Sequence, residues 1–184
     1  ALARHGLAAA NANGAGEGDA AGTPGALAAV AEQPPARARV VPLQVAGAFH
    51  TEHMAPAVEV LAALAPAVAT SPARTPVVSN ADGAVLQDGA EVLRRIVAQV
   101  SRPVRWDLCT ERFAALGVTA LLELAPAGTL ANLAKRSLKG VEVLALKTPD
   151  DLERARALVA EHGSSPAAPE AAQAVSETAA AGAR

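Results

Sequence analysis

From Met54 onward the chain alternates segments of helical period with short β-branched runs, and that alternation restricts it to an α/β arrangement. Val58, Leu61, Leu64 and Val68 share one face of a helix expected over 54–68. A short strand over 75–80 follows, closed by the turn Asn80-Ala81-Asp82-Gly83. The next helix, over 91–100, carries Leu93, Ile96, Val97 and Val100 at helical spacing, and Pro103 stops it. Asp107 is expected to cap a helix that buries Leu108, Phe113 and Leu116 and ends at Gly117, with a buried strand over 118–124 behind it. A helix over 129–138 has Lys135, Arg136 and Lys139 at its negative C-terminal end, and a strand over 141–146 follows Gly140. The last helix has the fullest set of signals: Thr148 as cap, Pro149 at the first position, Asp150 and Asp151 in the first turn, and Gly163 past the end.

Upstream of this alternation the signals are shorter. Residues 1–33 are rich in Ala, Gly and Asn, and Asn11-Ala12-Asn13-Gly14-Ala15-Gly16 offers several positions that accept positive φ, so the segment reads as turn and short strand. Thr23-Pro24 opens a short helix through Val30, which Gln33-Pro34-Pro35 ends. Val40-Val41-Pro42-Leu43-Gln44-Val45 reads as a strand, on a sheet edge because of its internal proline. Residues 164–184 are Ala, Ser, Pro and Glu without periodicity, too small and polar to repay the entropy of ordering, and are expected to form a disordered tail or linker.

Composition narrows the class of partner. The 184 residues suffice for one domain with a sizeable core or for part of a larger one. Sixteen Lys and Arg against eighteen Asp and Glu, with 2% aromatic residues, leave no basic, base-stacking surface, so no nucleic acid is expected. The single cysteine, Cys109, excludes an internal disulfide framework and fits a cytoplasmic setting, and no apolar run reaches membrane-spanning length. The first residues, Ala1-Leu2-Ala3-Arg4, carry neither an initiator Met nor a signal region, which reads as a processed, truncated or internal start.

His50 stands where the apolar segment ending at Val45 gives way to the helix entered at Met54. An imidazole held by scaffold on both sides can pass protons near neutral pH, so His50 is a candidate acid/base, with a packed or surface histidine as the alternative. His50 and His53 are three apart, yet no further His, Cys or carboxylate cluster completes a coordination sphere, so no metal is expected. Ser71, Ser79, Ser101 and Ser137 do not lie in the G-x-S-x-G turn that exposes a nucleophile. Cys109 falls on the apolar side of its helix and reads as a small hydrophobe, and the Asn11–Gly16 segment lacks the lysine of a phosphate-binding loop.

Six segments in order resemble the C-terminal part of malonyl-CoA:acyl-carrier-protein transacylases and the related acyltransferase domains of polyketide and fatty-acid synthases. They are Asn11-x-Asn13-Gly14-x-Gly16, Val40-Val41-Pro42-Leu43-x-Val45, Gly47-Ala48-Phe49-His50-Thr51-x-x-Met54-x-Pro56-Ala57, Pro76-Val77-Val78-Ser79-Asn80-x-Asp82-Gly83, Gln99-Val100-Ser101-x-Pro103-Val104-Arg105-Trp106 and Glu123-x-x-Pro126. The resemblance implies an α/β-hydrolase-like acyltransferase core with an inserted ferredoxin-like small domain. On that pattern 1–45 is the second half of the insert and 46–163 the C-terminal part of the core. The N-terminal half of the same enzyme, with the nucleophilic serine, the malonyl-gripping arginine and a glutamine loop, falls outside these residues, so the chain alone is expected not to turn over.

The activity so implied is transfer of malonyl from coenzyme A to the phosphopantetheine thiol of an acyl carrier protein, by a ping-pong Ser/His mechanism in fatty-acid or polyketide biosynthesis. Coenzyme A enters as the malonyl-CoA substrate, and no cofactor is bound permanently. His50 matches the family's base, oriented by the main-chain carbonyl at the position matching Gln99. Phe49 matches the malonyl-type neighbour that crowds an α-methyl group, a preference of about 1–3 kcal/mol. Arg39 matches the basic residue near the coenzyme A phosphates, and Asn11 and Asn13 the asparagines lining the cofactor channel. Two departures stand out: Gly16-Glu17-Gly18-Asp19 is expected to weaken a strand and the phosphate site, and Ala125-Pro126-Ala127-Gly128 replaces Gly-Pro-Gly. The alternative is a non-catalytic acyltransferase-like module that docks a carrier protein or scaffolds a synthase.

Overall fold

Positive φ angles at Gly14 (87°), Ala15 (52°) and Gly16 (79°) reverse the chain and join β1 (Ala8–Gly14) to β2 (Glu17–Ala21) as an antiparallel hairpin. This computed structural model describes residues 2–163; the tail expected over 164–184 lies outside the described residues. A 3-10 turn at Leu2–His5 leads into the hairpin. Glu17-Gly18-Asp19, expected to weaken the strand it stands in, lies wholly within β2, whose pairing with β1 has two register irregularities. A Cβ on Gly18 would sit 2.7 Å from the Asn11 carbonyl oxygen, so glycine permits the close pairing, and Asn13 Nδ2 reaches Asp19 Oδ2 at 3.5 Å.

Helix α1 (Pro24–Glu32) starts as the sequence predicts, with the Thr23 hydroxyl accepting from the Ala26 N–H and proline in the first turn. The strand expected over 40–45 does not form. Pro42 has no N–H to offer a ladder, no neighbouring strand pairs with the segment among the described residues, and Val45 is 70% exposed. A 3-10 turn at Glu52–Met54 then feeds α2 (Ala55–Leu64), which closes in another at Ala65–Ala67. The apolar face of α2 is not buried: Leu64 is 61% exposed, and Leu61 and Val68 also face solvent.

Strands β3 (Val77–Val78) and β4 (Val85–Leu86) pair around the turn in which Gly83 (φ 70°) donates to the Ser79 carbonyl at 2.8 Å. Helix α3 (Gly89–Gln99) is capped by Asp88, whose carboxylate accepts from the Ala90 N–H. Its outer face is tied down by Arg95, which bonds Glu91, Asp82 and Ser79 at 2.6, 2.7 and 3.1 Å. Hydrogen bonds from Arg94 and Arg95 hold the Glu91 carboxyl down to about 2. Past Pro103, β5 (Val104–Arg105) pairs parallel with β1, giving the order β2-β1-β5 with Asn11 opposite Val104.

Helix α4 (Trp106–Ala115) begins before Asp107, which therefore lies in the first turn and is not the cap; its carboxylate is engaged by the Arg105 guanidinium at 2.8 and 2.9 Å. Leu108, Phe113 and Leu116 are only half-buried, and Cys109 and Thr110 are the buried residues of this helix. The chain divides into two compact units between Leu108 and Cys109. In the first, Leu7, Ala10, Val30 and Val104 are buried beside the polar Asn13, Thr51, Ser79 and Gln99.

In the second unit, β6 (Ala120–Glu123) and β7 (Glu142–Ala145) form a parallel pair connected through α5 (Thr129–Ser137). Helix α6 (Leu152–His162) follows a 3-10 turn at Pro149–Asp151, where the Asp151 carboxylate accepts from the N–H groups of Lys147 and Thr148. Leu144, Ala155 and Leu158 form its core, with Ala120, Leu122 and Leu146 packed against them. The loop at 124–128 contains the cis Ala125–Pro126 bond and is organised by Glu123, whose buried carboxylate accepts from Gly128, Leu130 and Ala131 N–H at 2.7, 2.9 and 2.9 Å.

Candidate active site

A helix leaves its last carbonyls without intrahelical partners, and at the end of α3 two of them are taken by one residue. His50 Nδ1 lies 2.8 Å from the Gln99 carbonyl oxygen, and the His50 backbone N–H donates to the Val100 carbonyl at 3.0 Å. A carbonyl can only accept, so Nδ1 carries the proton and Nε2 of the neutral ring keeps its lone pair. That tautomer is the one a general base needs.

His50 adopts φ 63°, in the left-handed region that a residue with a Cβ rarely enters. The turn bearing it is closed by Thr51, whose hydroxyl donates to the Ala48 carbonyl at 2.6 Å, and the Met54 N–H in turn bonds the Thr51 carbonyl at 3.0 Å. Gln99 is fixed by its own side chain, with Nε2 donating to the Arg102 and Pro103 carbonyls at 2.8 and 3.0 Å. The Gln99 carbonyl also accepts from the Arg102 N–H at 3.2 Å, so both of its lone pairs are occupied.

Of the residues singled out in the sequence, His50 and Gln99 are in direct contact. Phe49, 47% exposed, precedes the base with its ring beside Gly47, where an added Cβ would meet it at 3.5 Å. Asn11 and Asn13 lie on β1, whose partner β5 leaves the Gln99–Pro103 turn, so strand pairing places Asn11 opposite Val104, next to the Pro103 carbonyl that Gln99 holds. Arg39 stands apart, exposed in the coil after α1 and outside these hydrogen bonds. Thr51 and Val100 stood in the resembling segments, but sequence reasoning gave neither a part in the site. A threonine three residues after a carbonyl has no distinguishing pattern, and the Val100 contact spans fifty residues and uses backbone alone.

His50 and His53 are in no group of three metal-ligand side chains among the described residues. The group that exists is the exposed Glu142 and Glu161 with the half-buried His162, in the second unit, with His162 Nε2 3.5 Å from Glu142 Oε2. No helix among the described residues is long and apolar enough to cross a membrane.

No family model matches the chain. Individual relatives do, and they agree. The malonyl CoA-acyl carrier protein transacylase of Mycobacterium tuberculosis is 49% identical over 147 residues, covering 80% of this chain and 49% of the relative. Over the matched residues the chain is similar to the malonyl CoA-acyl carrier protein transacylases. The crystal structure of the transacylase from Mycobacterium tuberculosis superposes with a TM-score of 0.79 at 48% identity, over 83% of this chain and 51% of that one. A malonyl-transacylase solved in complex with its type II PKS acyl-carrier protein gives a TM-score of 0.73 at 28% identity, over 81% and 49% of the two chains. The chain thus spans about half the length of the transacylases it matches, and its fold is the α/β fold of these neighbours over about 80% of its residues.

Proposed function

We propose that this chain supplies the acid/base part of an enzyme that moves malonyl from coenzyme A to the phosphopantetheine thiol of an acyl carrier protein, in cytoplasmic fatty-acid or polyketide biosynthesis. The observation that carries the reading is the 2.8 Å bond from His50 Nδ1 to the Gln99 carbonyl, which leaves Nε2 as the basic atom. Kinship with malonyl CoA-acyl carrier protein transacylases supports the substrate, and the relative solved with its acyl-carrier protein supports the partner. In this reading 1–45 belongs to a ferredoxin-like insert and 46–163 to an α/β-hydrolase-like core, and the nucleophilic serine comes from the half of the enzyme outside these residues.

As that serine attacks the malonyl thioester, His50 Nε2 takes the hydroxyl proton and the imidazolium is held by Gln99 and the end of α3. The same proton passes to the departing coenzyme A sulfur, leaving malonyl esterified to serine. The phosphopantetheine thiol then gives its proton to Nε2 as it attacks the ester, and the serine oxygen recovers that proton on release. On the family pattern Phe49 restricts the acyl group, and Asn11, Asn13 and Arg39 are assigned to the coenzyme A side.

The test is complementation. The 184-residue chain alone transfers no labelled malonyl to holo acyl carrier protein, whereas the chain joined behind the unmatched first half of the Mycobacterium tuberculosis relative does. A joined protein that binds the carrier protein and folds yet transfers nothing supports the non-catalytic module instead.

A further inference from the structure

We infer that Thr51 is a positioning residue for His50, its hydroxyl fastening the left-handed turn that aims the imidazole at Gln99. The inference rests on reading His50 as the base. A residue with a Cβ stays at φ 63° only where its surroundings over-determine the conformation. Three hydrogen bonds do so here. Two run outward to α3, from the His50 N–H to Val100 and from Nδ1 to Gln99. The third closes the turn from within, from the Thr51 hydroxyl to the Ala48 carbonyl at 2.6 Å, with Thr51 only 3% exposed.

Water cannot replace that donor at so buried a position. Without it the Ala48 carbonyl loses its partner, φ of His50 relaxes toward negative values, and the ring swings away from the Gln99 oxygen. The Nδ1 proton then has no acceptor, and the ring reverts to the tautomer with the proton on Nε2, which cannot act as a base.

The experiment uses the full 184-residue chain labelled with 15N-histidine, with ring protonation read from long-range proton–nitrogen correlations. A His50→Gln variant separates the His50 signals from those of His5, His53 and His162. The neutral ring of the unaltered chain shows a protonated Nδ1 and a bare Nε2. Thr51→Ser, which keeps the hydroxyl, preserves that pattern. Thr51→Val, which keeps the shape and loses the donor, lowers the ratio of Nδ1–H to Nε2–H forms by roughly tenfold, the size of one lost hydrogen bond. An unchanged ratio in Thr51→Val overturns the proposal, as does a loss in Thr51→Ser as large as in Thr51→Val. If Thr51→Val does not fold, Thr51→Ala takes its place, with the same loss expected and an unchanged ratio again overturning the proposal. Failure of the base reading is seen separately, as malonyl transfer that survives His50→Ala in the joined enzyme while the tautomer pattern stands.

Discussion

Gln99 meets His50 through its main chain and holds itself in place through its side chain: the carbonyl accepts from His50 Nδ1 at 2.8 Å while Nε2 donates to the Arg102 and Pro103 carbonyls. Gln99 is 8% exposed, so water does not substitute for its amide. Gln99→Met keeps the volume and removes both donors. It is expected to cost about 1–3 kcal/mol in urea denaturation and to lower malonyl transfer in the joined enzyme. Unchanged stability and rate would show that the α3 exit turn holds its shape without the amide.

Gly18 and Gly25 are predicted to respond to alanine with opposite signs. A Cβ at Gly18 would overlap the Asn11 oxygen at 2.7 Å, which costs about 1–3 kcal/mol through displacement of β2. Gly25 lies in α1 with nothing within 4 Å of the added atom, and Gly25→Ala is expected to stabilise by about 0.4–1 kcal/mol. Thermal unfolding of the two variants checks the pair, and destabilisation of similar size in both would refute the steric account of Gly18.

What the sequence shows depends on how local the cause is. Thr23-Pro24, the Asn13–Gly16 reversal and the Thr148–Asp151 cap each act within a few residues, and each sets a helical or turn start where it stands, the last as a 3-10 turn that leads into α6. The strand expected over 40–45 fails because β structure needs a partner, which composition does not supply. Asp107 has a capping residue's chemistry, but Arg105 occupies its carboxylate and the helix begins one residue earlier. The pairing of β1 with β5 links positions some ninety residues apart and leaves no periodic trace. Within the site, periodicity alone left His50 as one histidine among four, and the link to Gln99 entered only through resemblance to a family. Thr51 stood in a resembling segment without a role, since its part is a hydrogen bond to main chain.

Glu123 makes the second unit acid-sensitive. Burial pushes its carboxyl up, but the N–H groups of Ala131, Gly128 and Leu130, with the charge of Lys147, more than offset this and leave it below the usual 4.5. A carboxyl lowered by folding stabilises the fold above its unfolded value, and that contribution is lost as the pH falls through the folded one. Glu123→Gln is therefore expected to cost about 2 kcal/mol near neutral pH and progressively less on acidification below the unfolded value. Urea midpoints of both chains across that range test it; a gap that stays constant with pH would remove the carboxylate from the account.

Phe49→Ser in the joined enzyme should relax the preference for malonyl over methylmalonyl. One methyl group in a pocket discriminates by about 1–3 kcal/mol, so the ratio of kcat/KM values is expected to fall by roughly tenfold or more. A ratio that does not move would place acyl selection elsewhere.

Malonyl transfer by the joined enzyme carrying His50→Ala bears most directly on the central claim, that this chain contributes the proton-transferring base. Labelled malonyl reaching holo acyl carrier protein is measured against the unaltered joined enzyme, with folding verified by circular dichroism. Loss of the imidazole is predicted to slow transfer by at least about a hundredfold. Transfer at the unaltered rate would contradict the assignment of His50 and the function proposed from it.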